Sequence, residues 1–441
     1  MLNVLWLGLL LTAVLVGGFS GRLAGVTDAG IRAAETAVTL SLGLIGVMSL
    51  WLGLMRLAER AGLVTLLARG LRPVLRRLFP DVPMEHPAMG SMLLNIAANM
   101  LGLTNAATPL GLKAMRDLET LNPHPGTATN AMCTFLAINT GSPQLLPVTA
   151  IALFAAAGAR EPAAIVGTTL IATSVSSAAG LLAAKWMERW RLFRLPETLS
   201  SVAQPAAGGG APVPITPPIP KETPASLRPL GATGCLVLGV FGAAFGWFAY
   251  RLITTPGAEP WTSPGARAIH AISVLAVPFL IAFFPLYAAL RRVVVYDVFI
   301  EGAREGFGVA VTIIPYLVGM LVAIGMLRGA GVLELLGRWT APFLAVLGIP
   351  SDVLPLALMR PLSGSGSLAA LGDLIREAGP DSLAARMGGT LFGSTETTFY
   401  VIAVYFGAVG IRRVRHALAA GLIADAAGLL AAVHVCRWVF G

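Results

Sequence analysis

Charge is scarce in this 441-residue chain: Asp, Glu, Lys and Arg make up 12%, against 56% hydrophobic residues. A soluble domain carries about a quarter of its residues as charges, so a water-covered globular surface is excluded. The mean hydropathy of +0.78 places the chain in a membrane. Cysteine is nearly absent. Cys133, Cys235 and Cys436 lie far apart in apolar stretches, which excludes a disulfide framework and a CxxC metal site and leaves them as small core residues. Lysine occurs only three times against 28 arginines, and the net charge is +9. The arginines gather at the ends of apolar runs, which is the positive-inside pattern of a membrane protein, and no nucleic-acid partner is expected. Also missing are HExxH, a nucleotide-binding loop, a Gly-x-Ser-x-Gly elbow and clustered His/Cys ligands. ATP-driven transport and redox chemistry are therefore not expected, nor is a metal or cofactor, and the chain does not read as an enzyme.

What is present are apolar runs. A hydrocarbon core of about 30 Å needs about 20 apolar residues, and runs approaching or reaching this length occur at Leu2–Val16, Ala37–Met55, Ala163–Ala184, Gly231–Tyr250, Ile269–Leu290, Val309–Met326 and Ala417–Val435. The first has no Lys or Arg before it and no convincing cleavage site, so it is expected as a retained helix. Two further stretches, Met89–Ala157 and Val353–Gly410, are apolar but interrupted by polar and Gly-rich clusters. The expected fold is an all-α polytopic membrane protein of about 10–12 membrane segments.

The chain repeats itself. Arg60-Ala61-Gly62-Leu63 through Arg69 and Pro73 aligns with Gly329-Ala330-Gly331-Val332 through Arg338 and Pro342 at an offset of 269. Gly141-Ser142-Pro143-Gln144 aligns with Gly393-Ser394-Thr395-Glu396 at an offset of 252, which also pairs Phe154 with Phe406, Gly158 with Gly410 and Arg160 with Arg412. Between the copies, Pro196–Pro229 holds nine prolines and three consecutive glycines, the composition of a flexible linker. Halves at 1–195 and 230–441 follow. Six arginines, Arg56 to Arg77, succeed the Ala37–Met55 run, but only Arg328 and Arg338 succeed its counterpart; in the later hairpin, Arg160 faces Arg412, Arg413 and Arg415. Both biases favour two inverted repeats, a recurring transporter design, over a parallel duplication.

The interruptions carry the candidate chemistry. Asn95, Asn99 and Gly102 stand at i, i+4 and i+7, one stripe of a helix expected to break near Leu103–Thr108. Asn139-Thr140-Gly141-Ser142-Pro143-Gln144 reads as an unwound segment, because Pro143 removes an amide donor. The second half offers Ser363-Gly364-Ser365-Gly366-Ser367, preceded by Arg360, and then Ser394-Thr395-Glu396-Thr397. Glu396 is the sharpest of these, since an ionisable group in the membrane costs several kcal/mol unless paired, hydrated or functional. Its competing reading is a structural ion pair with Arg360; that of the amides and serines is interhelical hydrogen bonding and close packing. Asn105, Asn130 and Asn139 are weaker candidates for solute contact. Lys113, Arg116, Asp117 and Glu119 read as a solvated face, and His124 as part of a turn.

These segments resemble a known family. Gly90–Pro147, with LLNIAANMLGLTNAATPLGLKAM and TNAMCTFLAINTGSPQLLP, is similar to spore maturation protein A; Arg360–Asp425, with RPLSGSGSLA, GSTETTFYV and YFGAVGIRRVRHAL, is similar to spore maturation protein B. Both belong to the nucleoside-recognition, or Gate, superfamily, which is similar to domains of concentrative nucleoside transporters and of the membrane part of ferrous-iron transporter B. The resemblance implies translocation of a small solute or ion without fixing it. The expected function is secondary, ion-coupled transport of a small polar or zwitterionic solute (a nucleoside, an amino acid or a small carboxylate) in a bacterial cytoplasmic (inner) membrane. The expected binding residues are Asn95, Asn99, Asn139, Ser142, Gln144, Ser363, Ser365, Ser394, Thr395 and Glu396, with Glu396 also coupling a proton or sodium ion. Membrane lipid and a second copy in a homodimer are the expected partners. A channel or metal-ion gate, a noncatalytic envelope scaffold and an intramembrane hydrolase are the competing classes.

Overall fold

The computed structural model describes residues 2–102, 104–193, 230–254 and 263–441. Among them no strand forms beyond a single bridge between Thr127 and Arg413. The linker expected at Pro196–Pro229 and the side chain of Asn105 lie outside the described residues.

A peripheral helix, α1 (Leu2–Phe19), precedes a long one, α2 (Leu23–Arg60), and an amphipathic one, α3 (Leu63–Leu78). Four short helices follow: α4 (Pro87–Met100), α5 (Thr104–Glu119), α6 (Asn130–Gly141) and α7 (Val148–Ala156). At about 1.5 Å per residue none of these crosses a bilayer alone. The half closes with α8 (Ile165–Met187). After α9 (Ala232–Thr254) and α10 (Pro264–Leu290) the same order returns: α11 (Val295–Gly329), α12 (Val332–Leu347), α13 (Leu354–Met359), α14 (Gly364–Ala378), α15 (Leu383–Ser394), α16 (Thr398–Gly407) and α17 (Ala417–Phe440). Among the described residues six helices, α2, α8, α9, α10, α11 and α17, are long and apolar enough to span a membrane. The chain is an all-α polytopic membrane protein.

Glycines that the sequence offsets pair adopt the same backbone. Gly62 and Gly331 turn α2 into α3 and α11 into α12 at φ of 81° and 80°, and Gly158 and Gly410 take 76° and 70°. A residue with a Cβ is strained in this left-handed region. Equivalent helices pack on each other and run antiparallel. Gly25 and Gly53 of α2 meet Gly329 and Phe299 of α11, so rising numbers on one helix meet falling numbers on the other. On the second pair, Ser176 and Gly180 of α8 meet Gly428 and Ala424 of α17 in the same sense.

Small residues allow this contact. A Cβ on Gly302 would stand 2.5 Å from the Leu52 carbonyl oxygen, and one on Gly306 2.6 Å from the Ser49 Cα. The Ser176 hydroxyl adds a hydrogen bond of 2.9 Å to the Ala424 carbonyl. The halves also exchange aromatic anchors. Phe154 of α7 packs against Gly389 of α15, and its repeat partner Phe406 joins the core built around Trp51, Phe79 and Phe135. Cys133 and Cys436 are core residues as expected, but Cys235 is exposed. Its helix, α9, packs chiefly on α10 and presents most of its surface outward.

Candidate functional site

The first interruption folds back on itself. Asn95 of α4 reaches the Ala107 carbonyl of α5 and Ser91 reaches Asp117, so α4 and α5 form an antiparallel hairpin. Its reversal lies earlier than the sequence suggests: Gly102 takes φ of 75°, and α5 already begins at Thr104, with Pro109 inside it. The turn falls where the glycine permits a left-handed residue, not where the proline stands. The corresponding α13 and α14 are joined by Arg360–Ser363, with the Ser363 hydroxyl capping α14 by accepting from the Gly366 N–H at 3.0 Å.

The second interruptions, 142–147 between α6 and α7 and 395–397 between α15 and α16, meet each other. The Glu396 N–H donates to the Thr140 carbonyl at 2.8 Å. Ser142 ends α6 in a left-handed conformation at φ of 38°, and the carbonyls freed there, of Gly141 and Ser142, accept from Thr173 at 3.2 and 2.7 Å. Broken helices persist in a membrane only where such partners replace the lost ladder.

At this crossing lies a cavity of about 260 Å³, lined by Gln144 and Thr149 from the first half and by Tyr316, Arg360, Ser365 and Glu396 from the second. Arg360 is 4% exposed. Its Nε–H donates to the Thr395 hydroxyl at 3.2 Å, and its guanidinium lies 4.6 Å over the Phe392 ring. One Nη stands 4.0 Å from a Glu396 carboxylate oxygen, beyond hydrogen-bond reach. Gly364 and Ser365, which also line the cavity, open α14, where backbone N–H groups lack intrahelical partners and the helix dipole favours negative charge. The site therefore offers a cation with open donors beside a helix start, and a carboxylate across from them.

The structure sorts the candidates of the sequence into two groups. Gln144, Ser365 and Glu396 line the cavity; Ser363 contacts Ser365 at 3.3 Å, and Thr395 holds Arg360. The other group is turned inward. Asn99 donates to Asn139 at 2.9 Å, Asn139 donates to the Phe135 carbonyl, and the Tyr405 hydroxyl stands 3.4 Å from both Asn139 and Asn95. The Ser394 hydroxyl bonds back to the Leu391 carbonyl, and Ser142 is fully buried.

Sequence reasoning passed over two further buried carboxylates, Asp425 and Asp373. Asp373 pairs with Arg328 at 2.5 Å and with Arg376 at 3.1 Å. Asp425, on α17, accepts from the Thr398 hydroxyl at 2.6 Å. Both sit in regular helices, away from the Gly- and Pro-marked interruptions, but the rule that singles out Glu396 applies equally to a carboxylate inside the apolar run Leu422–Leu430.

A family model described as nucleoside recognition, or Gate, matches residues 41–169 and 310–412, more than half of the chain. The chain belongs to the nucleoside-recognition family. It is 44% identical over 173 residues to spore maturation protein B of Bacillus subtilis (strain 168), covering 39% of this chain and 97% of that protein. It is 42% identical over 182 residues to spore maturation protein A of the same organism, covering 41% of this chain and 93% of that protein. An inner membrane protein of Escherichia coli (strain K12), YjiG, is 33% identical over 81 residues, 18% of this chain and 53% of that protein. No solved structure matches the chain significantly. This Gate protein is thus a multi-pass membrane protein that joins an A-like and a B-like unit.

Proposed function

We propose that this Gate protein is a secondary transporter, not an enzyme, for a small solute bearing a carboxylate, such as a zwitterionic amino acid or a small carboxylate, in a bacterial inner membrane. The observation that carries the reading is Arg360: a buried guanidinium with open Nη donors, facing a cavity at the crossing of two broken helices. The solute carboxylate binds these donors and the start of α14, and Glu396 receives an ammonium group. A volume near 260 Å³ lies just below the 300–1,000 Å³ of most small-molecule sites, which suits a solute of amino-acid size. The family description keeps nucleosides in the test set, with Gln144 and Ser365 as their hydrogen-bonding partners. Antiparallel packing of α2 on α11 and of α8 on α17 is the pairing that inverted repeats require, and rocking of the halves about the crossing supplies alternating access.

The test is uptake by proteoliposomes offered amino acids, small carboxylates, nucleosides and divalent metals, with and without proton and sodium gradients. Concentrative uptake of a carboxylate-bearing solute, sharply weakened in R360A, is expected. Uptake of metals alone, or the same uptake in R360A, overturns the reading.

A further inference from the structure

Glu396 has partners and an opening to the cavity; Asp425 has neither in full. The Glu396 side chain is about a third exposed (32%), and its Oε2 accepts from the Thr397 N–H at 3.3 Å. Asp425 is 7% exposed. Its Oδ2 accepts from Thr398, but its Oδ1 is buried with no hydrogen-bond partner among the described residues, and so is the hydroxyl of neighbouring Thr397. We propose that Asp425 is the proton-carrying group of this protein, gaining a proton on Oδ1 when solute binds and returning it when solute leaves.

An anion at this position leaves half of its charge without a donor in an apolar interior, the costliest way to bury a polar group. The neutral acid removes that charge, and its second oxygen keeps the Thr398 bond. The elements packed on this part of α17 offer hydroxyls rather than charges: Thr398 from α16, Ser176 from α8 and Thr395 from the 395–397 break. Among the described residues, Arg360 and Glu396 are charged groups near enough to act on Asp425.

Arg360 is tied to Asp425 through the backbone. The Phe399 N–H donates to the Pro361 carbonyl at 3.0 Å, so the residue after Thr398 is fastened to the residue after Arg360. While the site is empty, the guanidinium charge compensates Asp425 and Glu396 together. A solute carboxylate that binds the Nη donors takes over that compensation. Asp425 then accepts a proton through an Oδ1 lone pair, so for a plain carboxylate solute one negative charge and one proton enter together and the charge of the core is unchanged.

This proposal rests on the transporter reading for its coupling to solute, but not for the proton site itself, and the experiment separates the two. Infrared difference spectra of purified full-length protein, taken between neutral and alkaline pH where exposed carboxylates are already ionised, report the carbonyl stretch of a carboxylic acid that is still protonated. The band is expected in the wild type and in E396Q, absent in D425N, and shifted in T398V, which keeps the acid but removes its hydrogen bond. T398V keeps the assignment testable should D425N fail to fold. Absence of the band in wild type, its persistence in D425N, or its loss in E396Q alone overturns the proposal. In proteoliposomes an inward proton gradient is expected to stimulate wild-type uptake several-fold and to have no effect on D425N. Stimulation by sodium in place of protons overturns the coupling. Wild-type protein that transports nothing overturns the transporter reading, while the infrared result still decides the proton site.

Discussion

The two breaks that cross at the centre of this protein descend from one pattern and do different work. Gly141-Ser142-Pro143-Gln144 bends sharply, with Ser142 in the left-handed region, and the preceding α6 ties its amide, Asn139, to Asn99 and Tyr405. Gly393-Ser394-Thr395-Glu396 leaves α15 in an extended conformation and presents a carboxylate to the same cavity that Gln144 lines. The first break is braced by neutral hydrogen bonds within the protein; the second, beside Arg360, keeps charged groups open to a visitor. On the proposed function, a duplicated scaffold holds its shape with one copy and binds with the other, because neutral amides are cheaply satisfied inside a protein and charges are not.

The severest way to break this asymmetry is to remove its cation. R360A is expected to raise the apparent KM for a carboxylate-bearing solute about 100-fold, since a hydrogen bond to a charged group is worth about 1.5–3 kcal/mol and each 1.4 kcal/mol is tenfold. Uptake kinetics in proteoliposomes measure it. Next in size is the contact between halves. G302V places carbon atoms against the Leu52 carbonyl and is expected to cost about 1–3 kcal/mol, as overpacking does. G46V, at a glycine with open space around it, is expected to change stability by less than about 0.5 kcal/mol. Thermal unfolding in detergent compares the two.

A smaller effect sharpens the roles at the crossing. E396Q is expected to weaken a zwitterionic solute about tenfold and a plain carboxylate hardly at all, because only the former brings an ammonium to Glu396; competition against labelled solute reads the difference. The smallest concerns the braced side. Y405F removes the hydroxyl shared by Asn95 and Asn139 and is expected to lower stability by about 0.5–1.5 kcal/mol, with transport changed less than twofold.

Much of this was legible in the chain itself. The long helices appear where apolar runs stand, although α2 and α11 extend well beyond them, to 38 and 35 residues, because their ends pair: Arg56 and Arg60 of α2 reach Glu301 of α11. The repeat offsets found glycines with matching backbone angles. The stripe of Asn95 and Asn99 was visible too, but not its direction. Periodicity places two amides on one face, whereas packing of α5, α6 and α16 decides that the face looks inward. Arg360 was visible only as a partner for Glu396, and Asp425 was passed over because it lies in an unbroken helix.

Composition and local pattern alone determined the membrane class, the duplication, the family likeness and the presence of helix breaks, since each depends on solvent transfer or on backbone freedom at nearby residues. The tertiary structure decided which polar groups meet: Glu396 with Thr140, Thr398 with Asp425, and Arg360 with Thr395 rather than tightly with Glu396. These partners stand from 27 to 256 residues apart, so the sequence pattern around each is the same whether its side chain ends in a hydrogen bond, an apolar core or an open cavity.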